Sequence, residues 1–370
     1  MITIGVDPHK HLHVALAVNE SGHELSEWQG PNNPDGWTKL IGWSRSLGTE
    51  RQWGIEGAWS YGRGLAQKLV ASGEVVFDIN PRWTAERRRG ARNTSKTDKR
   101  DAKAIASVVR EETLNLPRVL AADETGVLDL LTSEREAAVV EATRLRNQIH
   151  AHLMRIDSEY QAHMPSLKSR AGVNALLDYS SPVRTDLEEQ RALVVRRLAQ
   201  RLQLALLQAD ELEIQINGIV EARYLPLTKL CGVSLITAGT LAAILGPGNR
   251  FKSDAQLAAY AGVAPLETSS AGLVRHRLNR GGNRRLNAAL YRIVLTQAHH
   301  LPEAREYLAR RVSQGKTRRE AHRALRRFVV RAIWHRWQEC HSGEMKTEPG
   351  CMKLLQHRRP NRDLLRRQLT

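Results

Sequence analysis

The sequence predicts a mixed α/β domain at the N-terminus, followed by a chain that is almost entirely helical. Short apolar runs separated by turns fill the first part, at Ile2–Val6, His13–Val18, Glu24–Gln29, Trp53–Glu56 and Val75–Ile79. Between about residues 123 and 220, apolar residues instead recur at three- and four-residue steps. The first pattern is typical of strands and the second of amphipathic helices, so the architecture is expected to change near residue 115.

The N-terminal domain is predicted over residues 1–115. After three strands, Pro34 opens a helix to Leu47, because proline suits the first position of a helix. A second helix, capped by Ser60, runs to Ala71 between the fourth and fifth strands. With one more helix near the end of the domain, the order βββαβαβα is that of the ribonuclease-H-like fold.

Two further regions complete the predicted organisation. Residues 120–222 predict two long helices that pair as a coiled-coil hairpin, either within one chain or as an oligomerisation arm. Residues 223–337 predict a mainly α domain whose first part looks like a helix-hairpin-helix that offers amide groups to phosphate, with a packed αα-hairpin as the alternative. Residues 338–370 form a polar, basic tail that is expected to be disordered.

The charge balance indicates a polyanionic partner. The 370 residues include 56 Lys or Arg against 39 Asp or Glu, a formal net charge of +17, and such an excess favours nucleic acid through phosphate neutralisation. The longest near-apolar stretch, at 235–245, is far shorter than the ~20 residues that cross a bilayer. The N-terminus does not have the pattern of a signal peptide, so a cytoplasmic location is expected.

Four acidic residues form the first candidate site. Asp7 follows the first apolar run and Glu56 ends the fourth, so both are expected at one end of a sheet, while Asp98 and Asp101 share one face of a helix. Converging carboxylates repel one another unless cations neutralise them, and oxygen ligands suit Mg²⁺ or Mn²⁺. Two such ions assist phosphodiester displacement. The alternative is structural, with Asp7 ending a strand and Asp98 capping a helix or completing its first turn.

Basic residues surround this set and recur downstream. Residues 82–110 hold ten Lys or Arg against three acids, and guanidinium groups match phosphate geometry. The predicted nucleic-acid contacts are Lys10, Arg87, Arg88, Arg89, Arg92, Lys96, Lys99, Arg100, Arg275, Arg277, Arg280, Arg284 and Arg285. Ser269 and Ser270 precede the second group. Such a pair is typical of a loop, and a serine must be activated before it acts as a nucleophile.

These motifs, in this order, resemble one known family. They are Asp7-Pro8-His9-Lys10, Glu56, the segment 97–102, Gly262-Val263-Ala264-Pro265 before Ser270, and the segment 282–286. The chain is similar to the DEDD-type transposases of bacterial insertion sequences, which are described as bridge-RNA-guided serine recombinases. The resemblance covers residues 1 to about 337.

The resemblance implies a division of chemistry between two domains. Asp7, Glu56, Asp98 and Asp101 would bind metal in a RuvC-like domain, and Ser270 would attack a DNA phosphate to form a phosphoserine link. It also implies three partners, which are DNA at the element ends and target, a structured guide (bridge) RNA, and further copies of the chain. In the family's dimers and tetramers, one protomer's serine domain completes another's acidic site.

One departure from the family pattern concerns the nucleophile. The family has a serine followed by glycine, whereas Ser270 is followed by Ala271 and preceded by Ser269. The distance from Pro265 favours Ser270, and Ser269 is the alternative.

Two other functions stay open, a RuvC-like structure-selective endonuclease with water as nucleophile and a catalytically silent nucleic-acid-binding protein. The serine domain favours the recombinase over the endonuclease, and the four acids favour the recombinase over the silent binding protein.

Overall fold

A computed structural model describes residues 1–81, 83–85, 97–113, 116–182, 185–248, 250–264, 266–267, 276–277 and 282–341. The predicted disordered tail lies almost entirely outside the described residues.

The N-terminal domain is built on one mixed sheet. Its five strands are β1 (Ile2–Pro8), β2 (Leu12–Val18), β3 (Glu24–Pro31), β4 (Arg51–Glu56) and β5 (Val75–Ile79). They lie in the order β3-β2-β1-β4-β5, with β1, β4 and β5 parallel and β2 antiparallel to both of its neighbours. All five predicted strands are present, and this arrangement is consistent with the ribonuclease-H-like prediction.

Three helices cover the two faces of the sheet. They are α1 (Pro34–Leu47), α2 (Arg63–Ala71) and α3 (Asp98–Glu112). The first two pack against Ile4, Val6 and Ile55 on one face, and α3 covers the other. The predicted cap of α2 is wrong, because Ser60 donates its hydroxyl to the carbonyl of Gly57 and α2 begins only at Arg63.

The helix α3 lies unusually close to the sheet because two glycines face it. Gly5 of β1 and Gly54 of β4 are register partners. A Cβ at Gly5 would lie 2.5 Å from the amide nitrogen of Ala106 and still closer to the carbonyl oxygen of Ala102. One at Gly54 would lie 2.3 Å from the side chain of Val109 and 3.0 Å from that of Ile105. The backbone of α3 therefore packs directly on β1 at Gly5, while side chains of α3 fill the space over Gly54, and both contacts require glycine.

Two long antiparallel helices follow this domain. They are α4 (Glu124–Ile156) and α7 (Asp186–Arg223), and between them lie α5 (Tyr160–His163) and α6 (Arg170–Leu177). Their antiparallel direction is evident from two ion pairs, because Arg135 contacts Glu213 at 2.6 Å while Glu141, further along α4, contacts Arg201, which is earlier in α7, at 3.2 Å. The helical hairpin is thus present within one chain, and its use as a coiled coil between chains stays a prediction.

The C-terminal part is a helical domain with a small hairpin. After a 3₁₀ helix (Leu225–Lys229) come α8 (Leu235–Leu245), α9 (Asp254–Tyr260), β6 (Leu266–Glu267), β7 (His276–Arg277), α10 (Arg284–His300), α11 (Pro302–Ser313) and α12 (Arg318–His341). Ala238, Leu241 and Leu245 bury α8 in the core, and the phosphate contact expected of a helix-hairpin-helix here stays a prediction. Among the described helices, none has the length and apolar character needed to cross a membrane.

A buried ion pair joins the sheet to the helical domain. Asp78 of β5 and Arg250, before α9, are 9% and 4% exposed, and Arg250 Nη2 lies 3.1 Å from Asp78 Oδ2. The other carboxylate oxygen accepts the amide of Ala58 at 3.0 Å, while Arg250 also donates to the carbonyl of Ile244 at 2.7 Å. Burial raises the pKa of Asp78, and the guanidinium of Arg250 opposes that rise.

The packing of α3 predicts opposite effects for two Gly→Ala substitutions. Gly5→Ala should lower the free energy of unfolding by about 1–3 kcal/mol or more, because backbone atoms must move away from the new methyl group. Gly42→Ala, at an exposed position of α1 with no atom within 4 Å of the new Cβ, should raise it by about 0.5–1 kcal/mol. Urea unfolding followed by tryptophan fluorescence measures both, since most tryptophans precede residue 84. Equal effects of the two substitutions would contradict this account of α3.

The buried ion pair predicts a pH-dependent loss in Arg250→Met. Without its cation, the ionised Asp78 should cost about 3–5 kcal/mol of stability near neutral pH. Because burial raises the folded-state pKa of Asp78 above its unfolded value, protonation favours the folded state. The loss should therefore be greatest above the folded-state pKa and shrink as the pH falls through it.

Urea unfolding at neutral and at mildly acidic pH measures this difference. The double variant Asp78→Asn/Arg250→Met is the control, because it has no buried carboxylate to titrate. At neutral pH the double variant should lose less stability than Arg250→Met, and its loss should change less with pH than that of Arg250→Met. A loss in Arg250→Met that does not depend on pH would argue against an ionised Asp78 in the folded protein.

Candidate functional site

Asp7 and Glu56 are neighbours at the carboxyl edge of two parallel strands. Val6 of β1 is the register partner of Ile55 of β4, so the next residue along each strand is one of these two acids. Side chains alternate along a strand, which places Asp7 on the face of Gly5 and Glu56 on the face of Gly54, the face that α3 covers. The sequence prediction that they share one end of the sheet is thus met in the structure. Glu56 Oε2 accepts the Thr84 hydroxyl at 3.2 Å.

The first turn of α3 carries the other two acids to the same edge. Thr97 caps the helix by accepting the amide of Arg100, so Asp98 is the first helical residue and is not needed as the cap. Asp98 has a half-exposed side chain, whereas Asp101, one turn later, is only 3% exposed. Carboxylates are seldom buried to this extent unless they are paired or bind a cation.

A histidine lies between two of these carboxylates. Ligand atoms of Asp7, His9 and Asp98 all lie within 4.8 Å of one another. His9 Nε2 is 3.3 Å from Asp7 Oδ2 and 3.5 Å from Asp98 Oδ1, yet it is shielded from solvent and has hydrogen-bond geometry with neither oxygen. Two carboxylates and an imidazole nitrogen form a donor set that fits a divalent metal ion.

Sequence reasoning did not include His9 among the site residues. The signal was present, because His9 stands two residues after Asp7, where the chain leaves the carboxyl end of β1. The ion pair of Asp78 with Arg250 was not predicted either, because in the sequence Asp78 is one polar residue within the otherwise apolar strand Val75–Ile79.

The residues that flank the segment 263–281, which holds Ser269 and Ser270 and is called the serine segment below, meet beside this edge. The amide of Asn283 donates to the carbonyl of Tyr260 at 2.7 Å, and a Cβ on Gly282 would lie 2.5 Å from the carbonyl carbon of Ala261. Tyr260 and Asn283 also line a cavity of about 280 Å³ together with Gly57, next to Glu56. Ser269 and Ser270 themselves lie outside the described residues.

The predicted nucleic-acid contacts differ in their surroundings. Lys10 is exposed after β1 and Arg284 is exposed at the start of α10. Lys99 lies 2.6 Å from Glu27 and Arg285 lies 2.6 Å from Asp129, so both charges are balanced within the chain.

The remaining basic residues are less fully described. Arg100 is partly buried and interacts within the chain, and Arg277 lies in β7. The others are outside the described residues, namely Arg87, Arg88, Arg89, Arg92, Lys96, Arg275 and Arg280.

Comparisons with known proteins identify the family of the chain. A family model described as "Transposase", of the DEDD type, matches residues 4–157. A second, described as "Transposase IS116/IS110/IS902 family", matches residues 225–309. The first match includes Asp7, Glu56, Asp98 and Asp101, and the second includes Ser269 and Ser270.

Two relatives from bacterial insertion elements extend the match along the chain. One, from Streptomyces coelicolor, is described as "Insertion element IS110 uncharacterized 43.6 kDa protein" and is 31% identical over 284 residues, which is 65% of this chain and 70% of the relative. Another, from Mycobacterium paratuberculosis, is described as "Insertion element IS900 uncharacterized 42 kDa protein" and is 26% identical over 381 residues, 89% of this chain and 94% of the relative. The chain therefore belongs to the IS110 family of insertion-sequence transposases, enzymes of DNA recombination.

Proposed function

We propose that this transposase cuts and rejoins DNA through a phosphoserine intermediate on Ser270, with Asp7, Glu56, Asp98 and Asp101 binding Mg²⁺ or Mn²⁺. The observation that carries the proposal is the approach of Asp7 and Asp98 to the shielded Nε2 atom of His9. Groups from a strand end, a turn and a helix start converge there at distances suited to one ion.

The strand-cleavage step follows from the chemistry of serine. The Ser270 hydroxyl loses its proton and its oxygen attacks a DNA phosphorus, the bond from phosphorus to the 3′ oxygen breaks, and the departing oxygen takes up a proton as a 3′-hydroxyl. Rejoining reverses this with a 3′-hydroxyl from another strand. Divalent ions at the acidic edge would supply charge stabilisation to the attacking and leaving oxygens.

The chain's own residues prepare the edge for this chemistry. Register pairing of β1 with β4 puts Asp7 beside Glu56, and Asp98 and Asp101 belong to the first turn of α3, which starts close to Asp7. Burial of Asp7 and Asp101 keeps water from the carboxylates, which strengthens their attraction for cations. The exposed Lys10 lies at the same end of β1 and can attract the DNA backbone.

The remaining parts of the proposal concern partners. A structured guide RNA would pair with donor and target DNA, so that base pairing rather than side chains selects the sequence. The serine segment of one protomer would complete the acidic site of another in a dimer or tetramer. Both follow from the resemblance to the guided recombinases, and the +17 charge supports the first because it suits two kinds of nucleic acid.

The serine role predicts a covalent adduct that one substitution removes. Ser270→Ala should abolish both the protein–DNA adduct and the joining of element-end DNA, because no oxygen remains to attack the phosphate. Ser269→Ala is the matched control and should retain both. Asp7→Asn should also remove the adduct, whereas Asp35→Asn, an exposed acid at the start of α1, should not. The measurement is denaturing electrophoresis of labelled DNA with protein, with and without Mg²⁺.

Other outcomes separate the alternatives. Adduct formation lost in Ser269→Ala and kept in Ser270→Ala would move the nucleophile to Ser269. Cleavage that depends on Asp7 but on neither serine would identify a RuvC-like endonuclease that uses water. Absence of cleavage under every condition that supports binding would favour a silent nucleic-acid-binding protein. Joining that persists after ribonuclease has removed all RNA would argue against the guide.

The position of His9 predicts that removal of its imidazole weakens metal binding. If its imidazole is a ligand, His9→Ala should weaken Mn²⁺ binding about tenfold or more, by analogy with the loss of groups that support metal ligands. His11→Ala, an exposed neighbour, is the matched control and should leave the affinity unchanged. Isothermal titration of Mn²⁺ measures both without any DNA. Tighter binding in His9→Ala would contradict the ligand role and show that the imidazole competes with the ion.

A further inference from the structure

A basic cavity lies between two helices of the C-terminal domain, and none of the four predicted metal-binding acids lines it. It has a volume of about 740 Å³ and is bounded by α10 and α12. Six of its lining residues carry cationic or titratable nitrogen groups, namely Arg284, Arg318, Arg319, His322, Arg323 and Arg326. None of the described residues that line it is acidic. We refer to this cavity as the arginine groove.

The charges of the arginine groove are poorly balanced within the chain. Arg284, Arg318 and Arg319 are exposed and form no ion pair with any described residue. Among the described residues, the acid nearest to Arg323 is Glu320, at 4.0 Å. Arg318 and Arg319 also occupy the first turn of α12, where the helix dipole disfavours cations. Residues that neither pair with acids nor suit their helix position indicate a ligand that brings negative charge.

Arg326, inside the groove, also has a guanidinium group that is incompletely hydrogen-bonded by the described residues. It donates to the side-chain oxygen of Asn287 at 2.8 Å and lies over the Tyr291 ring, 5.4 Å from its centroid, but its Nε atom is buried without a hydrogen-bond partner. Burial and the neighbouring Arg323 lower the pKa of Arg326. A phosphate in the groove would stabilise this guanidinium and accept hydrogen bonds from the arginines around it.

Shape and aromatic content distinguish single strands from duplexes. The volume is that of a pocket for a compact ligand, and it accommodates a short stretch of one nucleic-acid backbone. Tyr291 is 46% exposed and lines the groove, and a tyrosine ring beside a cationic channel is a stacking surface for unpaired bases. In a duplex those bases would be turned inward and paired.

The groove begins where the serine segment ends. Gly282 and Arg284, which follow that segment directly, are among its lining residues. We infer that the arginine groove binds unpaired DNA of the strand that is cut or joined, with the arginines on the backbone and Tyr291 against a base. This inference rests on the proposed function for the identity of the strand, and it assigns a path to that strand.

A salt titration of binding tests the arginine contacts. The probe is a fluorescein-labelled oligothymidine, with anisotropy read in EDTA so that no chemistry occurs. The triple variant Arg318→Gln/Arg319→Gln/Arg323→Gln should lower the slope of log affinity against log salt by about 2, since each lost phosphate contact on a single strand accounts for about 0.7. Its affinity should fall about tenfold or more at moderate salt.

A charge-matched triple is the control. Arg144→Gln/Arg170→Gln/Arg201→Gln removes the same number of charges from arginines that contact acids on the helical hairpin, and it should leave the slope nearly unchanged. Tyr291→Ala should weaken binding without changing the slope, while Tyr291→Phe should bind like the wild type. Equal slopes for the two triple variants, or no effect of the groove triple, would overturn the inference.

Two further measurements distinguish this inference from RNA binding in the groove and from the proposed function. A labelled oligouridine that binds more tightly than oligothymidine, and loses that advantage in the groove triple, would assign the groove to RNA and overturn the DNA assignment. Asp7→Asn should bind oligothymidine normally, because the acidic edge is not part of the groove. If groove variants bind normally while joining still needs Asp7 and Ser270, only the groove inference fails. If joining needs neither residue, the proposed function fails, whatever the groove binds.

Discussion

The contact of α3 with the sheet at Gly5 and Gly54 is the constraint on which the acidic site depends. Two strands and one helix carry its carboxylates, and their relative positions are fixed only if the helix axis lies at a definite distance from β1 and β4. Paired glycines set that distance by removing both side chains at the crossing point. Two residues forward along the strands lie Asp7 and Glu56, and one turn back along α3 lies Asp98, whose carboxylate is within 4.8 Å of that of Asp7.

Mutual repulsion between the carboxylates opposes this arrangement, and contacts elsewhere in the chain offset part of its cost. Lys99 and Lys103 reach from α3 to Glu24 and Glu27 of β3, so they hold the helix against the sheet on the side away from the carboxylates. These pairs are largely exposed, and their contribution to stability is modest. An imidazole lies between two of the carboxylates, those of Asp7 and Asp98, and this donor set fits the divalent cation of the proposed function.

The sequence allowed accurate prediction of features that depend on local chemistry. Pro34–Leu47 and Val75–Ile79 have the predicted bounds, because a proline at the helix start and a β-branched apolar run act over a few residues. Features set by register could not be predicted in this way. The pairing of Gly5 with Gly54 and the ion pair of Arg285 with Asp129 join residues that are far apart in the sequence. Ser60 looked like a helix cap, but the turn after β4 uses its hydroxyl instead.

The buried pair of Asp78 and Arg250 connects the two halves of the proposed chemistry. One oxygen of Asp78 holds the amide of Ala58, two residues after Glu56, and the other holds Arg250 of the helical domain. A buried ion pair adds little stability compared with apolar packing, so its value here lies in fixing position. Arg250 also contacts Tyr260, at which the ends of the serine segment meet. Under the proposed function, Ser270, eight residues beyond Gly262 and therefore at most about 29 Å from it, would reach an acidic edge from a starting point that this ion pair helps to hold.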